Sequence, residues 1–435
     1  MTNTTALREA NQGTALAAGR LPLPPLVIEG LEDFTGSFDR LCLRAGIAAI
    51  ETMLAGDAEA LCGKRYERGG KRRAHRWGST PSEIGWHGGK TTLRRPRLRE
   101  RGGAERELPS WQAIKAADLL SCWAFNQMLI GVATRKYGRS VRLPEGDLAG
   151  EAMRATRKSS VSRRFVALSA AKLKAWLAAD LSGLEVLIIQ IDGLRVGKHV
   201  LVAAIGIDAS GEKHVLALVE GATENAVVVK ALLADVIERG LAADVARLFI
   251  VDGAKALSRA IRDTFGGLAL IQRCQVHKGR NIVERLDPSL HAAVKKVLRQ
   301  AWDSPNAEQA ERLLRNLARR LDGEAPGVAA SIREGLDEML TVIRLDLPNQ
   351  LRRALACTNA IESLMSVIRQ VCRNVKRWRD ARMALRWTGT AMLEAKKTFR
   401  RLKAHKQLPV LTAALLRHQQ ALAGKPAVAS LTKAA

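Results

Sequence analysis

Five short apolar runs between Leu184 and Gln272, two of them ending in Asp-Gly, constrain this chain more than any other feature. Leu184 to Ile191 (LEVLIIQI) is a nearly unbroken apolar run leading into Asp192-Gly193. Runs of this length, rich in β-branched residues and bounded by turn residues, read as strands with little exposed face. His199 to Asp208, the turn Ala209-Ser210-Gly211-Glu212, and Lys213 to Glu220 form a hairpin pattern. Thr223 to Gly240 has helical spacing, with Val227, Val228, Ala231, Leu232, Val236 and Ile237 on one stripe and a glycine stop. Arg247 to Val251 follows and ends in Asp252-Gly253; a helix from Ala254 to Phe265 leads to the fifth run, Leu268 to Gln272.

The resulting order, β-β-β-α-β-α-β, is that of an RNase H-like sheet: three antiparallel strands, then helix-linked parallel ones. That order sets the first and fourth strands side by side. Asp192 and Asp252 are then expected at the C-terminal ends of neighbouring strands, each with a glycine that lets the chain turn away and a large ligand approach. Two adjacent carboxylates repel unless a cation holds them, and hard oxygen donors suit Mg²⁺ or Mn²⁺. A single Asp-Gly is more often a plain turn; the matched pair is what carries the reading.

The charge balance points to a polyanionic partner. Seventy Lys and Arg face 43 Asp and Glu, a net of +27. Lys64 to Arg106 (net +10) and Arg352 to Lys406 (net +12) carry 22 of it. A surface that is only solvated mixes its signs, whereas clustered cations neutralise phosphates and release counterions. No segment has the roughly 18 uninterrupted apolar residues of a spanning helix, so nucleic acid fits better than a membrane. The polar N-terminus does not resemble a secretion signal, and six cysteines without a CxxC pair suit a reducing cytoplasm. A cytoplasmic, nucleoid-associated protein is the expectation.

Within the first basic cluster, Arg76-Trp77-Gly78, Ile84 to Gly89 and Thr91 to Arg97 read as strands separated by Gly-rich turns. A basic two-stranded ribbon is one shape that enters a DNA groove; a basic arm without fixed structure is the alternative. Trp111 to Val132 is periodic in apolar residues. Ser159 to Arg164 looks like a capped helix start, which suits a recognition helix but also any capped surface helix.

A third carboxylate is available in Thr358-Asn359-Ala360-Ile361-Glu362-Ser363, at the head of an Arg-rich helix. Asn359 and Glu362 also have capping-box spacing, and spacing alone does not separate a catalytic Glu362 from a capping one.

The chain resembles the Mutator-like DDE transposases of bacterial insertion sequences, from about Tyr66 to Leu411. The likeness is strongest at Ile191-Asp192-Gly193, Val251-Asp252-Gly253, Cys274-Gln275-Val276-His277-Lys278 and Thr358 to Ser363. It implies a mixed α/β (α+β) fold: an RNase H-like catalytic core with an all-α insertion, preceded by a basic β-ribbon and helical DNA-binding region. The boundaries expected are 1–63 helical, 64–110 ribbon, 111–183 helical with a helix-turn-helix candidate, 184–285 first part of the core, 286–350 insertion, 351–408 closing Glu-bearing and basic helices, and 409–435 tail. The insertion fits the 109 residues between Asp252 and Glu362.

The resemblance further implies that Asp192, Asp252 and Glu362 are catalytic metal ligands for Mg²⁺, with Mn²⁺ substituting. His277 matches the family's Cys/Asp-x-x-His motif and would donate to phosphate or orient a loop at the active edge; a structural histidine is the bland alternative. A zinc site at Cys274 and His277 requires two further ligands that are not in view. Expected DNA contacts are Arg72, Arg73, Arg76, Arg94, Arg95 and Arg97 in the ribbon, Arg163 in the capped helix, Lys278 and Arg280 beside His277, and Arg369, Arg373, Lys376 and Arg377 after Glu362. The basic segment Lys64 to Arg106 matches its family counterpart less closely than the core does. The partners implied are double-stranded DNA, as terminal inverted repeats and target, and a second copy of the chain in a homodimer or higher oligomer. Rival readings are another RNase H-like nuclease such as a resolvase, which cuts without joining, and a DNA-binding regulator or transposase relic, which binds without metal-dependent chemistry.

Overall fold

A computed structural model describes residues 38–66, 74–86, 88–141, 154–223 and 225–424. The chain forms two compact units, one made of residues 1–128 and 132–165, the other of 129–131 and 166–435. Residues 1–37 of the expected N-terminal helical region, Arg72 and Arg73, residues 142–153 of the expected helical region 111–183 and the last eleven residues lie outside the described residues.

In the first unit, helix α1 (Phe38–Cys62) packs on a long hairpin of β1 (Ala74–Trp86) and β2 (Gly89–Glu100). Leu43, Ile47, Leu54 and Ala58 recur at helical spacing on α1 and meet Ile84, Leu93 and Leu98 of the hairpin. Among the described residues, residues 74–86 and 89–100 of the basic cluster form one two-stranded ribbon, with an irregularity between Arg76 and Ser79. Short β3 (Glu105–Arg106) and β4 (Arg154–Ala155) pair with β2. The expected single helical stretch after Trp111 is two helices, α2 (Pro109–Ala117) and α3 (Leu119–Leu129), because Asp118 takes a left-handed backbone conformation between them. A short α4 (Tyr137–Ser140) follows, and α5 (Lys158–Leu177) runs on into the second unit.

The second unit is built on a five-stranded sheet. Its strands are β5 (Val186–Val196), β6 (His199–Asp208), β7 (Lys213–Glu220), β8 (Arg247–Val251) and β9 (Ala269–Arg273), in the order β7-β6-β5-β8-β9. The first three are antiparallel, whereas β5, β8 and β9 are parallel. The first and fourth apolar runs are therefore neighbours, as their order predicts.

Alternation decides the layers. Ile189, Ile191, Phe249 and Val251 face helices α6 (Ala226–Glu238) and α7 (Lys255–Phe265). Ile188, Leu248 and Ile250 face the opposite way, into a larger core supplied mainly by later helices. After α8 (Gln275–Val283), helices α9 (His291–Asp303), α10 (Ala307–Leu321) and α11 (Pro326–Glu334) pack on one another, with loops at 304–306 and 322–325. Short α12 (Leu336–Met339), α13 (Thr341–Arg344) and α14 (Asn349–Leu355) lead to α15 (Asn359–Cys372) and α16 (Ala381–Lys396). The region expected to be a loosely helical tail contains α17 (Leu408–Ala423), whose Leu408, Leu411, Ala414 and Leu415 are buried in the larger core. Among the described residues, no helix is long and apolar enough to cross a membrane.

Candidate active site

Register creates the site. The parallel ladder of β5, β8 and β9 pairs Ile191 with Val251 and Val251 with Arg273. The residues one step further along the three strands are Asp192, Asp252 and Cys274, a single row across the sheet. The Cys274 backbone N–H donates to the Val251 carbonyl at 2.7 Å and carries the ladder to this level.

The two acids are not held alike. Asp252 ends its strand: its side chain accepts the Ala254 backbone N–H at 3.1 Å, and Gly253 turns the chain at φ +102°. A Cβ on Gly253 would lie 2.7 Å from the Arg273 guanidinium, so both backbone and packing require glycine there. Asp192, expected at a strand end, sits within β5, which continues to Val196 because β6 pairs with it along its whole length. Only the parallel half of its pairing stops at Ile191. The chain accordingly does not turn away at Gly193, where a Cβ would meet Thr223 at an ordinary 3.5 Å. The Asp192 carboxylate accepts the Gly193 N–H at 2.7 Å. Burial first, then the Asp252 charge, push its carboxyl up to about 6.

Glu362 arrives on α15, which Gln190 ties to the sheet by one hydrogen bond to the helix and one to the segment just before it. The Gln190 side chain, fully buried in the apolar run that precedes Asp192, accepts from Ile361 N–H at 3.1 Å and donates to Cys357 O at 3.3 Å. The helix N-cap is Thr358, with no capping side-chain bond, so the Asn359–Glu362 capping box does not form. Instead the Thr358 hydroxyl lies 3.0 Å from Glu362 Oε1 and 3.4 Å from the Cys274 sulfur. His277 Nε2 lies 3.6 Å from the same Glu362 oxygen. Its contact with the Cys274 sulfur, reinforced by the charges of Glu362 and Asp192, holds the imidazolium up to about 9 against the cost of burial. Conversely, the Cys274 thiol is held below its ordinary value: burial would raise it, but hydrogen bonds from His277 and Thr358 outweigh that.

Among the described residues, donor atoms of Cys274, His277 and Glu362 gather within 4.8 Å of one another, and so do those of Asp208, Glu212 and His214. The second group braces the β6–β7 turn, where Asp208 accepts from Ser210 and Glu212 backbone N–H groups and meets His214 at 2.7 Å. Asp192, Asp252 and Glu362 do not close to that distance as a trio. The sulfur and imidazole found beside Glu362 come from one helix start, with the carboxylate contributed across more than 80 residues of sequence.

Of the expected DNA contacts in this unit, Arg280, Arg369, Arg373, Lys376 and Arg377 are exposed. Lys278 is not: it is 4% exposed and donates to Ser331 O and Oγ at 2.8 and 2.7 Å. Helical geometry turns it away from its neighbours His277 and Arg280, onto α11, and burial lowers its ammonium to about 8. Its part is to fasten α8 to α11 rather than to meet a phosphate.

In the first unit, Arg94 and Arg163 are exposed. Arg97 is held bidentately by Glu105 (3.2 and 2.9 Å), and Arg95 is half-buried over Trp111 with Ser82 and Glu105 as partners. Arg76 donates to Gly63 O at 3.2 Å. The residues that reading the sequence missed are Gln190 and Thr358. A lone glutamine in the run LEVLIIQI was the visible signal for the first; Thr358 stood at the head of the quoted motif, but nothing there gave its hydroxyl a role.

The sequence pattern described as "Transposase, Mutator family" matches residues 36–401. Among curated relatives, the transposase for insertion sequence element IS6120 of Mycolicibacterium smegmatis is 27% identical over 217 residues, covering 48% of this chain and 66% of its own length. The transposase for IS1081 of Mycobacterium tuberculosis is 25% identical over 384 residues (84% and 87%), and that for IS406 of Burkholderia multivorans 27% over 337 (72% and 80%). The match to the IS6120 relative takes in just under two thirds of that protein. With this extent of family match, the chain belongs to the Mutator family of transposases.

Proposed function

We propose that this chain is a DDE transposase of an insertion sequence, with an RNase H-like core and a helical insertion, that binds the terminal inverted repeats of its element and cleaves and joins DNA strands. The observation that carries the reading is the row made by the parallel ladder, which brings Asp192 and Asp252 to the same level of neighbouring strands. Burying one carboxyl beside another without a cation is unfavourable, and the raised Asp192 carboxyl registers that cost. The donor chemistry fits Mg²⁺, with Mn²⁺ as substitute: Asp192 and Asp252 would hold it and Glu362 would complete the set. Bound there, divalent ions supply charge neutralisation and a template for in-line displacement at phosphorus.

The chain's own groups do the rest. His277, protonated at neutral pH, offers a cationic donor beside Glu362 for a phosphate oxygen. Gln190 and Thr358 position the Glu362 helix and carboxylate. Arg280, Arg369, Arg373, Lys376 and Arg377 neutralise backbone phosphates. Two element ends must meet for transposition, so the acting form is a dimer or larger.

The test incubates full-length protein with labelled end DNA and Mg²⁺ or Mn²⁺, beside Asp192→Asn, Asp252→Asn and Glu362→Gln. Wild-type nicking at the element boundary and joined products, both lost in each variant while end binding persists, support the reading. Cutting without joining would turn it toward a resolvase-type nuclease, and binding without any metal-dependent cutting toward a regulator or relic.

A further inference from the structure

A cavity of about 570 Å³ opens in the second unit beside the first turn of α15. Asn359 and Ser363, one helical turn apart, line it; Glu362, between them in sequence, does not, its carboxylate facing His277. Three cations line it, Lys213, Arg353 and Lys403, and no carboxylate does. Arg353 is already paired with Asp303 at 3.0 Å. Among the described residues, neither the Lys213 nor the Lys403 ammonium has an acidic or hydrogen-bonding partner.

Lys213 is the unusual one. It opens β7 half-buried, and that burial, with no compensating carboxylate, lowers its pKa. A partly desolvated ammonium with no counter-charge is unfavourable until an anion meets it. The N-terminal end of a 14-residue helix adds partial positive charge at the same opening. The cavity is far larger than a lone phosphate needs and falls within the range of small-molecule sites, roughly 300–1,000 Å³. Apolar wall from Leu402 suits a sugar or base more than an inorganic ion.

We propose that this cavity is a nucleotide phosphate site, in which Lys213 and Lys403 meet the phosphate oxygens and Asn359 offers its amide to the same nucleotide. The nucleotide comes either from a DNA strand or from the free pool. The proposal rests on the DNA reading above only for the first of those sources, and it requires no cleavage.

The experiment uses the full chain in EDTA, so that failure to cleave and failure to bind here are read separately. A short fluorescein-labelled oligodeoxythymidylate is titrated by anisotropy across a range of salt, and free thymidine 5′-monophosphate is titrated as competitor. The double variant Lys213→Gln/Lys403→Gln should bind the oligonucleotide roughly tenfold more weakly. Its salt slope should fall by about 1.4, the value for two lost single-strand phosphate contacts. Lys295→Gln/Lys296→Gln, which removes the same charge from the exposed side of α9, should leave both within about the spread expected for general charge loss. Ser363→Trp fills the cavity at unchanged charge and should weaken binding in the same direction as the Lys213/Lys403 pair. Displacement by the mononucleotide assigns the site to free nucleotide; binding by the oligonucleotide alone assigns it to a strand. Equal losses in the two double variants with both probes, or an unaltered salt slope, would overturn the proposal.

Discussion

The Gln190 side chain and the Ile361 backbone N–H meet at 3.1 Å, linking the strand of Asp192 to the helix of Glu362 through one hydrogen bond. Gln190 lies two residues before Asp192, and Ile361 one before Glu362, so this contact joins the neighbourhoods of two carboxylates that lie 170 residues apart in the chain. Gln190→Leu removes the clamp and leaves the Ile361 N–H and Cys357 O buried without it. The expected loss is about 1–3 kcal/mol of stability. If the clamp positions Glu362, metal-dependent cleavage of end DNA should fall by about tenfold or more while end binding and its salt dependence stay near wild type. A variant that is less stable but cleaves at full rate would assign Gln190 to packing alone.

Asp192 makes a pH prediction whose sign follows from its environment of Asp252, Glu362 and His277. Its carboxyl is raised from the ordinary 3.8 to about 6, so the fold prefers the neutral acid. The associated stability is fully present below the ordinary value and is lost as pH rises through about 6. That move corresponds to about 3 kcal/mol as an upper figure. In EDTA, Asp192→Asn, neutral throughout, should therefore gain in melting temperature over wild type as pH climbs from about 4 to about 6, then hold a constant lead. Adding Mg²⁺ should raise wild type and close the gap. Thermal melts showing a flat difference across that window would mean that Asp192 is not a desolvated partner of Asp252.

The ribbon separates arginines that look equivalent in sequence. Arg94 is exposed, with no side-chain partner among the described residues, whereas Arg97 is engaged by Glu105. Arg94→Ala should reduce the salt slope of duplex binding by about 0.9, one phosphate contact. Arg97→Ala should change it less, since its guanidinium must first leave a carboxylate. Anisotropy titrations with end DNA at several salt concentrations distinguish the two, and equal slopes for both variants would remove the distinction.

The helices between α8 and α15 share their core with one face of the sheet. Leu314 of α10 is fully buried in that cluster, together with Leu248 and Ile250. Leu314→Ala should cost about 2–5 kcal/mol. Because sheet and helices share one core, unfolding by denaturant should remain a single transition for this unit, followed by far-ultraviolet circular dichroism and by tryptophan fluorescence. Separate transitions would show the helical segment to be an independent unit.

Local chemistry made much of this protein legible without coordinates. The runs at His199–Asp208, Lys213–Glu220 and Arg247–Val251 are strands with the bounds that their apolar patterns predict, and the helices around them differ by only a few residues. Period and turn chemistry act over a handful of residues, so sequence carries them in full. The family match was legible for the same reason: short motifs around Asp192, Asp252, His277 and Glu362 are contiguous.

What sequence left undecided depends on partners far away along the chain. Asp192 lies inside its strand because β6 pairs past it, and Asp252 at the end of its own because nothing does. Lys278 belongs to Ser331 rather than to solvent because α11 packs over it. The Ala-rich segment after Leu408 is core because Leu411 and Leu415 find an apolar surface to cover. The row of Asp192, Asp252 and Cys274 exists only once three parallel strands are in register. Register is set by hydrogen-bond ladders and by burial summed over both faces of the sheet, quantities that no local stretch of residues contains.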